Sequence, residues 1–84
     1  MNNCFLCGEI KSQIEFGFLY NSNEHISVAR FKMLSNRDSI VEIKAYDEQA
    51  DKVYKNYKQG DVVCLMGVLH HTNIEITEIY KLIE

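Results

Sequence analysis

From Ser27 to Leu34 the chain reads Ser-Val-Ala-Arg-Phe-Lys-Met-Leu, and polar and apolar positions alternate along it. Ala29, Phe31 and Met33 fall on one face of an extended strand, and Val28, Arg30, Lys32 and Leu34 fall on the other. Ile40 to Tyr46 repeats the arrangement, with Val41, Ile43 and Ala45 on one side and Ile40, Glu42, Lys44 and Tyr46 on the other. If these two strands pair, the sheet has an oily face for a core. Its second face carries Arg30, Lys32, Lys44 and Tyr46. Cations beside an aromatic ring on a sheet suit a nucleic-acid strand, whose phosphates attract charge and whose bases stack. The same residues also fit the plain solvated face of a half-buried sheet.

The remaining elements follow in order. Cys4 to Lys11 reads as a first strand with Gly8 inside it, where a glycine marks a bulge, a bend or a close backbone approach. Gln13 to Tyr20 continues extended, with Ile14, Phe16, Phe18 and Tyr20 on one side and Gly17 loosening it. The two pieces read equally well as one long bent strand. Asn21-Ser22-Asn23-Glu24 and Ser35-Asn36-Arg37-Asp38 are turn clusters. Asp47 is the expected cap of a helix that starts at Glu48, and Gly60 its expected C-terminal glycine. Ala50, Val53, Tyr54 and Tyr57 recur at helical spacing, so they are expected to face inward. Glu48–Lys52 and Asp51–Lys55 have the spacing of helix ion pairs. Asp61 to Leu69 is an apolar strand, His70 to Asn73 a short connection, and Ile74 to Leu82 a last strand. The simplest closure is an all-β, five-stranded antiparallel barrel with one helix between its third and fourth strands.

Length makes this one domain, residues 1–84, with a small core. A chain of this size buries roughly 60–65 % of its unfolded surface, so an oligomer that covers more is a natural expectation. No apolar run has the length of a membrane span, and the N-terminus lacks a basic-then-apolar leader; a cytoplasmic protein away from the membrane is expected. The balance of 9 Lys plus Arg against 12 Asp plus Glu gives a net charge of -3. That counts against a dedicated nucleic-acid binder, and it predicts weak affinity with a steep salt dependence.

The ordered set of motifs resembles the bacterial single-stranded-DNA-binding protein family. The residues that carry the resemblance are Leu6-Cys7-Gly8-Glu9-Ile10, Val28-Ala29-Arg30-Phe31, Ile40 to Tyr46, Tyr57 to Val63 after the helix, and Met66-Gly67-Val68-Leu69. It extends over nearly the whole chain and implies an OB-fold that binds single-stranded DNA without sequence preference, usually as a homo-oligomer. A small barrel with an open edge is expected to form a homodimer or homotetramer through first-strand edges or sheet faces. By position, Tyr46 falls where the family has a base-stacking aromatic, with Arg30, Lys32 and Lys44 on the same strands. The chain also departs from the family. Ile40 stands where well-known members place a second stacking aromatic, Glu42 adds a negative charge, and there is no Trp. The connection at His70 to Asn73 is short where the family often has a long DNA-gripping hairpin, and the chain stops at Glu84, without the linker and acidic tip that recruit other enzymes. A shortened relative, similar to the primosomal replication protein N type of single-domain dimer, is implied.

Each site residue has a second reading. Tyr46 could stack on a base, an interaction of about 1–3 kcal/mol, or pack across an oligomer interface. Arg30, Lys32 and Lys44 could neutralise phosphates or pair with Glu42 and its neighbours. Cys4 and Cys7, with Cys64, His70 and His71, look like a metal set, but positions 4 and 7 of a strand point to opposite faces. No metal or other cofactor is therefore expected, and the three cysteines are expected to be reduced. No catalytic arrangement or phosphate-cradling loop is present, so no enzyme activity is expected. Two functions from different classes follow. One is a binder of single-stranded DNA, with RNA left open, serving replication, recombination or repair. The other is an OB-fold assembly module with little or no nucleic-acid binding.

Overall fold

The computed structural model describes residues 2–21, 24–35 and 38–82. Its strands are β1 (Asn3–Ile10), β2 (Glu15–Asn21), β3 (Glu24–Ser35), β4 (Ile40–Tyr46), β5 (Val62–Leu69) and β6 (Ile74–Lys81), with helix α1 (Glu48–Asn56) between β4 and β5. The sheet order is β1-β5-β6-β4-β3-β2, and β1 also pairs with β3. The ring β1, β5, β6, β4, β3 therefore closes as a five-stranded OB barrel, and β2 is added at the outer edge of β3. The two extended pieces before the first turn cluster are separate strands. The central residues of both turn clusters, Ser22–Asn23 and Asn36–Arg37, lie outside the described residues.

The barrel is antiparallel as expected but for one pairing. β4 and β6 run parallel, with Ile43 opposite Ile74 and Lys44 opposite Glu75. The reason is arithmetic: strand directions cannot alternate all the way around a ring with an odd number of strands. The other ring pairings are antiparallel.

The alternation places the core as expected. Ala29, Phe31 and Met33 from β3 and Ile43 and Ala45 from β4 are buried, joined by Ile10, Val63, Leu65, Ile74, Ile76 and Ile79. In β6 the register slips beside Met66/Gly67, and Thr77 is the extra residue. The slip carries the inward phase from Ile74 and Ile76 to Ile79. Two glycines bring strands together where a side chain would collide. A Cβ at Gly8 would run into the Leu34 carbonyl, and one at Gly67 into the Glu75 carbonyl.

The helix buries Ala50 and Val53, but its ends differ from expectation. Asp47 sits at the cap position with φ 58° and makes no side-chain cap. Its amide donates to the Ser27 carbonyl at 2.8 Å, which fixes the left-handed turn from strand to helix. Ser27 Oγ instead donates to Asp51 Oδ1 at 2.9 Å. Lys52 Nζ donates to the Ile79 carbonyl at 3.5 Å, and neither expected helix ion pair forms among the described residues. The helix ends at Asn56, before Gly60, which turns with φ 99° and donates its amide to Ile10 at 2.8 Å. Tyr54 is not core: it is 57% exposed and stacks on Phe16, ring centres 4.6 Å apart. Tyr57 is half-buried and donates to the Ile79 carbonyl at 3.3 Å. Among the described residues no helix is long and apolar enough to cross a membrane.

The cysteines also correct an expectation. Cys7 and Cys64 lie directly opposite on β1 and β5 and form a disulfide. The expectation of three reduced thiols overlooked this juxtaposition, which brings together residues 57 apart in sequence. Cys4 lies against the core on the opposite side of β1, and its thiol donates to the Gly67 carbonyl at 3.6 Å. Among the described residues no three His, Cys, Asp or Glu side chains gather as a metal site.

Candidate nucleic-acid interface

Cross-strand partners share a face, so the register defines the outer surface row by row. Arg30 lies opposite Lys44 and also opposite Glu15 of β2, and Lys44 pairs with Glu75 of β6. One row across four strands thus reads Glu15, Arg30, Lys44, Glu75. The neighbouring row toward the helix reads Gly17, Val28, Tyr46. In the other direction Lys32 lies opposite Glu42, and Leu34 opposite Ile40. The four residues singled out from the alternation therefore share one outward face of β3 and β4.

The electrostatics are mixed. Arg30 Nη2 donates to Glu15 Oε1 at 3.0 Å, with both side chains exposed. Lys32 and Lys44 make no ion pair among the described residues. Glu75 Oε1 is held by His70 Nε2 at 2.9 Å. Each cation therefore has a carboxylate across from it, and only Arg30 is engaged with one. Tyr46 is half-buried beside Val28, and its hydroxyl has no hydrogen-bond partner among the described residues. Ile40, 59% exposed, ends the face without a ring.

Sequence reasoning missed Glu15 and Glu75. Both lie on strands whose register with β3 and β4 could not be read from alternation alone. β2 also continues past the end of β4. Its pairing with β3 runs on to Phe18–Ser27 and Tyr20–His25, whereas β4 stops at Tyr46 opposite Val28. Phe18 and Tyr20 are exposed for that reason.

The same architecture occurs in solved structures. The SSB domain of a Synechococcus sp. protein superposes with a TM-score of 0.84 at 16% identity, over 95% of this chain and 94% of that one. The single-stranded DNA binding protein from Thermus aquaticus superposes with a TM-score of 0.88 at 19% identity, over 100% of this chain. The fold is that of these single-stranded-DNA-binding proteins. A deletion mutant of the Thermus protein gives a TM-score of 0.87 at 19% identity over the whole chain. The chain spans 41% of the wild-type Thermus protein's length. No protein-family model matches the chain, and no curated protein matches it in sequence.

Proposed function

We propose that the chain binds single-stranded DNA without sequence preference, on the outer face of β3 and β4. The observation that carries this is the adjacency of rows: Arg30 and Lys44 side by side, with Tyr46 in the next row. Base stacking on Tyr46 supplies an anchor that every base can use, and the cations beside it meet phosphates. The likeness in fold to single-stranded-DNA-binding proteins supports the same reading. Replication, recombination and repair expose such strands, and these are the processes proposed, in the cytoplasm. The Cys7–Cys64 disulfide speaks against that compartment, because the cytosol keeps most thiols reduced.

The interleaved carboxylates set the expected affinity. Among the described residues Arg30, Lys32 and Lys44 are the cations of this face. If they alone neutralise phosphates, the slope of log affinity against log salt is about −2, shallower than the net charge led one to expect. Anisotropy of a labelled oligo-dT at low and physiological salt tests this, with Tyr46→Ala as the first variant. No binding at low salt would remove the reading.

A second reading rests on a different surface. On the outer side of β1, β5 and β6, Phe5 lies opposite Met66, and Tyr80 lies beside the Cys7–Cys64 bridge. Phe5 is 63% exposed, and Val62, Met66 and Tyr80 are also uncovered. Contiguous exposed apolar area of this kind favours contact with a partner. Here the proposed partner is a second copy, in a homodimer or homotetramer. Light scattering across a concentration series tests it, and a monomer at all concentrations would remove it.

A further inference from the structure

The Gly17–Val28–Tyr46 row lacks a side chain at one end, and the fold does not require that glycine. Positive φ among the described residues occurs at Asp38, Asp47 and Gly60, and Gly17 is not one of them. A Cβ at Gly17 would meet nothing within 4 Å. Gly8 and Gly67 differ, because carbonyls occupy the space beside them. A glycine inside a strand weakens it, and this one gains no close packing in return. What it leaves is a shallow cavity of about 190 Å³, bordered by Val28, Leu19, Glu15 and Arg30.

We propose that Gly17 keeps this cavity open as the seat of one unpaired nucleobase, in the same row as Tyr46. The inference rests on the nucleic-acid reading above and adds a subsite to it. A flat base needs an apolar floor without a projecting side chain, next to a ring it can continue as a stack. Val28 is that floor; Tyr46 does not border the cavity but is Val28's cross-strand neighbour on the far side. Leu19, 51% exposed, stands at the open edge. The Arg30–Lys44 row is two residues along the strands, about 7 Å away, where the phosphate joined to the seated base falls. Arg30 at the cavity is paired with Glu15, and Lys44 beside it makes no ion pair among the described residues. That spare cation favours a base with its phosphate over an uncharged apolar ligand.

The test is a size series, Gly17→Ala, Gly17→Val and Gly17→Leu. Each variant is titrated with labelled oligo-dT and melted in parallel with the unaltered protein and Tyr46→Ala. The expected result is a graded loss of affinity, reaching roughly 5- to 160-fold for Leu, the range of one lost base stack. The melting temperature is expected to hold or to rise by about 2–8 °C, because a strand glycine has been replaced. If Gly17→Leu binds like the unaltered protein while Tyr46→Ala binds weakly, the seat is refuted and the binding face stands. If affinity and melting temperature fall together, Gly17 is a packing residue and the proposal is overturned. If the unaltered protein does not bind oligo-dT, the seat and the face both fall.

Discussion

The outer face of β3 and β4 carries Arg30, Lys32, Lys44 and Tyr46 among carboxylates, whereas the outer face of β1, β5 and β6 carries Phe5, Val62, Met66 and Tyr80 around a disulfide. Both faces cover the same core, with unbroken alternation in β3 and β4 and one change of phase, at Thr77 of β6, under the second face. The difference lies in the charge that faces solvent. Charges set opposite one another leave the first face hydrated, open to a polyanion that can displace the carboxylates. The second face has carboxylates too, Glu78 opposite Met66 and Glu9 opposite Val62, but they leave Phe5 and Met66 exposed, and covering those side chains with another surface lowers the free energy. Alternation therefore identifies outward positions, and only the identity of neighbouring strands decides what each outward face can do.

If the faces act independently, variants should separate them. The largest effect expected is from Cys7→Ser with Cys64→Ser, or from reductant. Either should cost about 2–4 kcal/mol of stability in urea unfolding, because the bridge closes a long loop. Affinity for oligo-dT should change little at temperatures where both forms are folded, and a parallel loss of affinity would mean the faces are coupled. Tyr46→Ala comes next. It should weaken oligo-dT binding by about 1–3 kcal/mol without altering the oligomeric state. Phe5→Ala should do the converse, weakening self-association by on the order of 1 kcal/mol in sedimentation equilibrium with DNA affinity unmoved. The smallest effect belongs to Glu15→Gln, which releases Arg30 from an exposed pair of about 0.2–1 kcal/mol. Binding at low salt should tighten up to about fivefold, and the gain should fade as salt screens it. An unchanged affinity would mean that Arg30 does not reach the DNA.

Alternation was enough to place Ala29, Phe31, Met33, Ile43 and Ala45 in the core and the four candidate residues outside, because period two is a local property of a strand. The barrel and its helix followed from the order of elements. What stayed hidden was everything that depends on which strands meet. The parallel meeting of β4 with β6 brings Glu75 beside Lys44, and β2 brings Glu15 to Arg30, so the charge matching of the face was invisible before the register was known. Cys7 and Cys64 are paired by the same kind of long-range register. Asp47 and Gly60 misled for another reason. Both are ordinary terminators of helices, but contacts to Ser27 and Ile10 on neighbouring strands decided their backbone conformations instead.

Barrel closure at Gly8 has a consequence for how fast the protein reaches its native state. The pairings β2–β3, β3–β4 and β5–β6 join strands that are neighbours in sequence, and hairpins of that kind form in about 1–10 μs. Closing the ring requires Gly8, Glu9 and Ile10 to find Ser35, Leu34 and Met33. Loop-closure entropy makes such distant pairings late. The carbonyl of Leu34 leaves no room for a Cβ at Gly8, so any side chain there acts on the closing step. A chain held before that step is an open sheet with two bare edges, the form in which strands pair with the wrong molecule. Refolding of Gly8→Ala should therefore be slower than that of the unaltered chain in stopped-flow measurements. An unaltered refolding rate, with only unfolding accelerated, would place closure after the rate-limiting barrier.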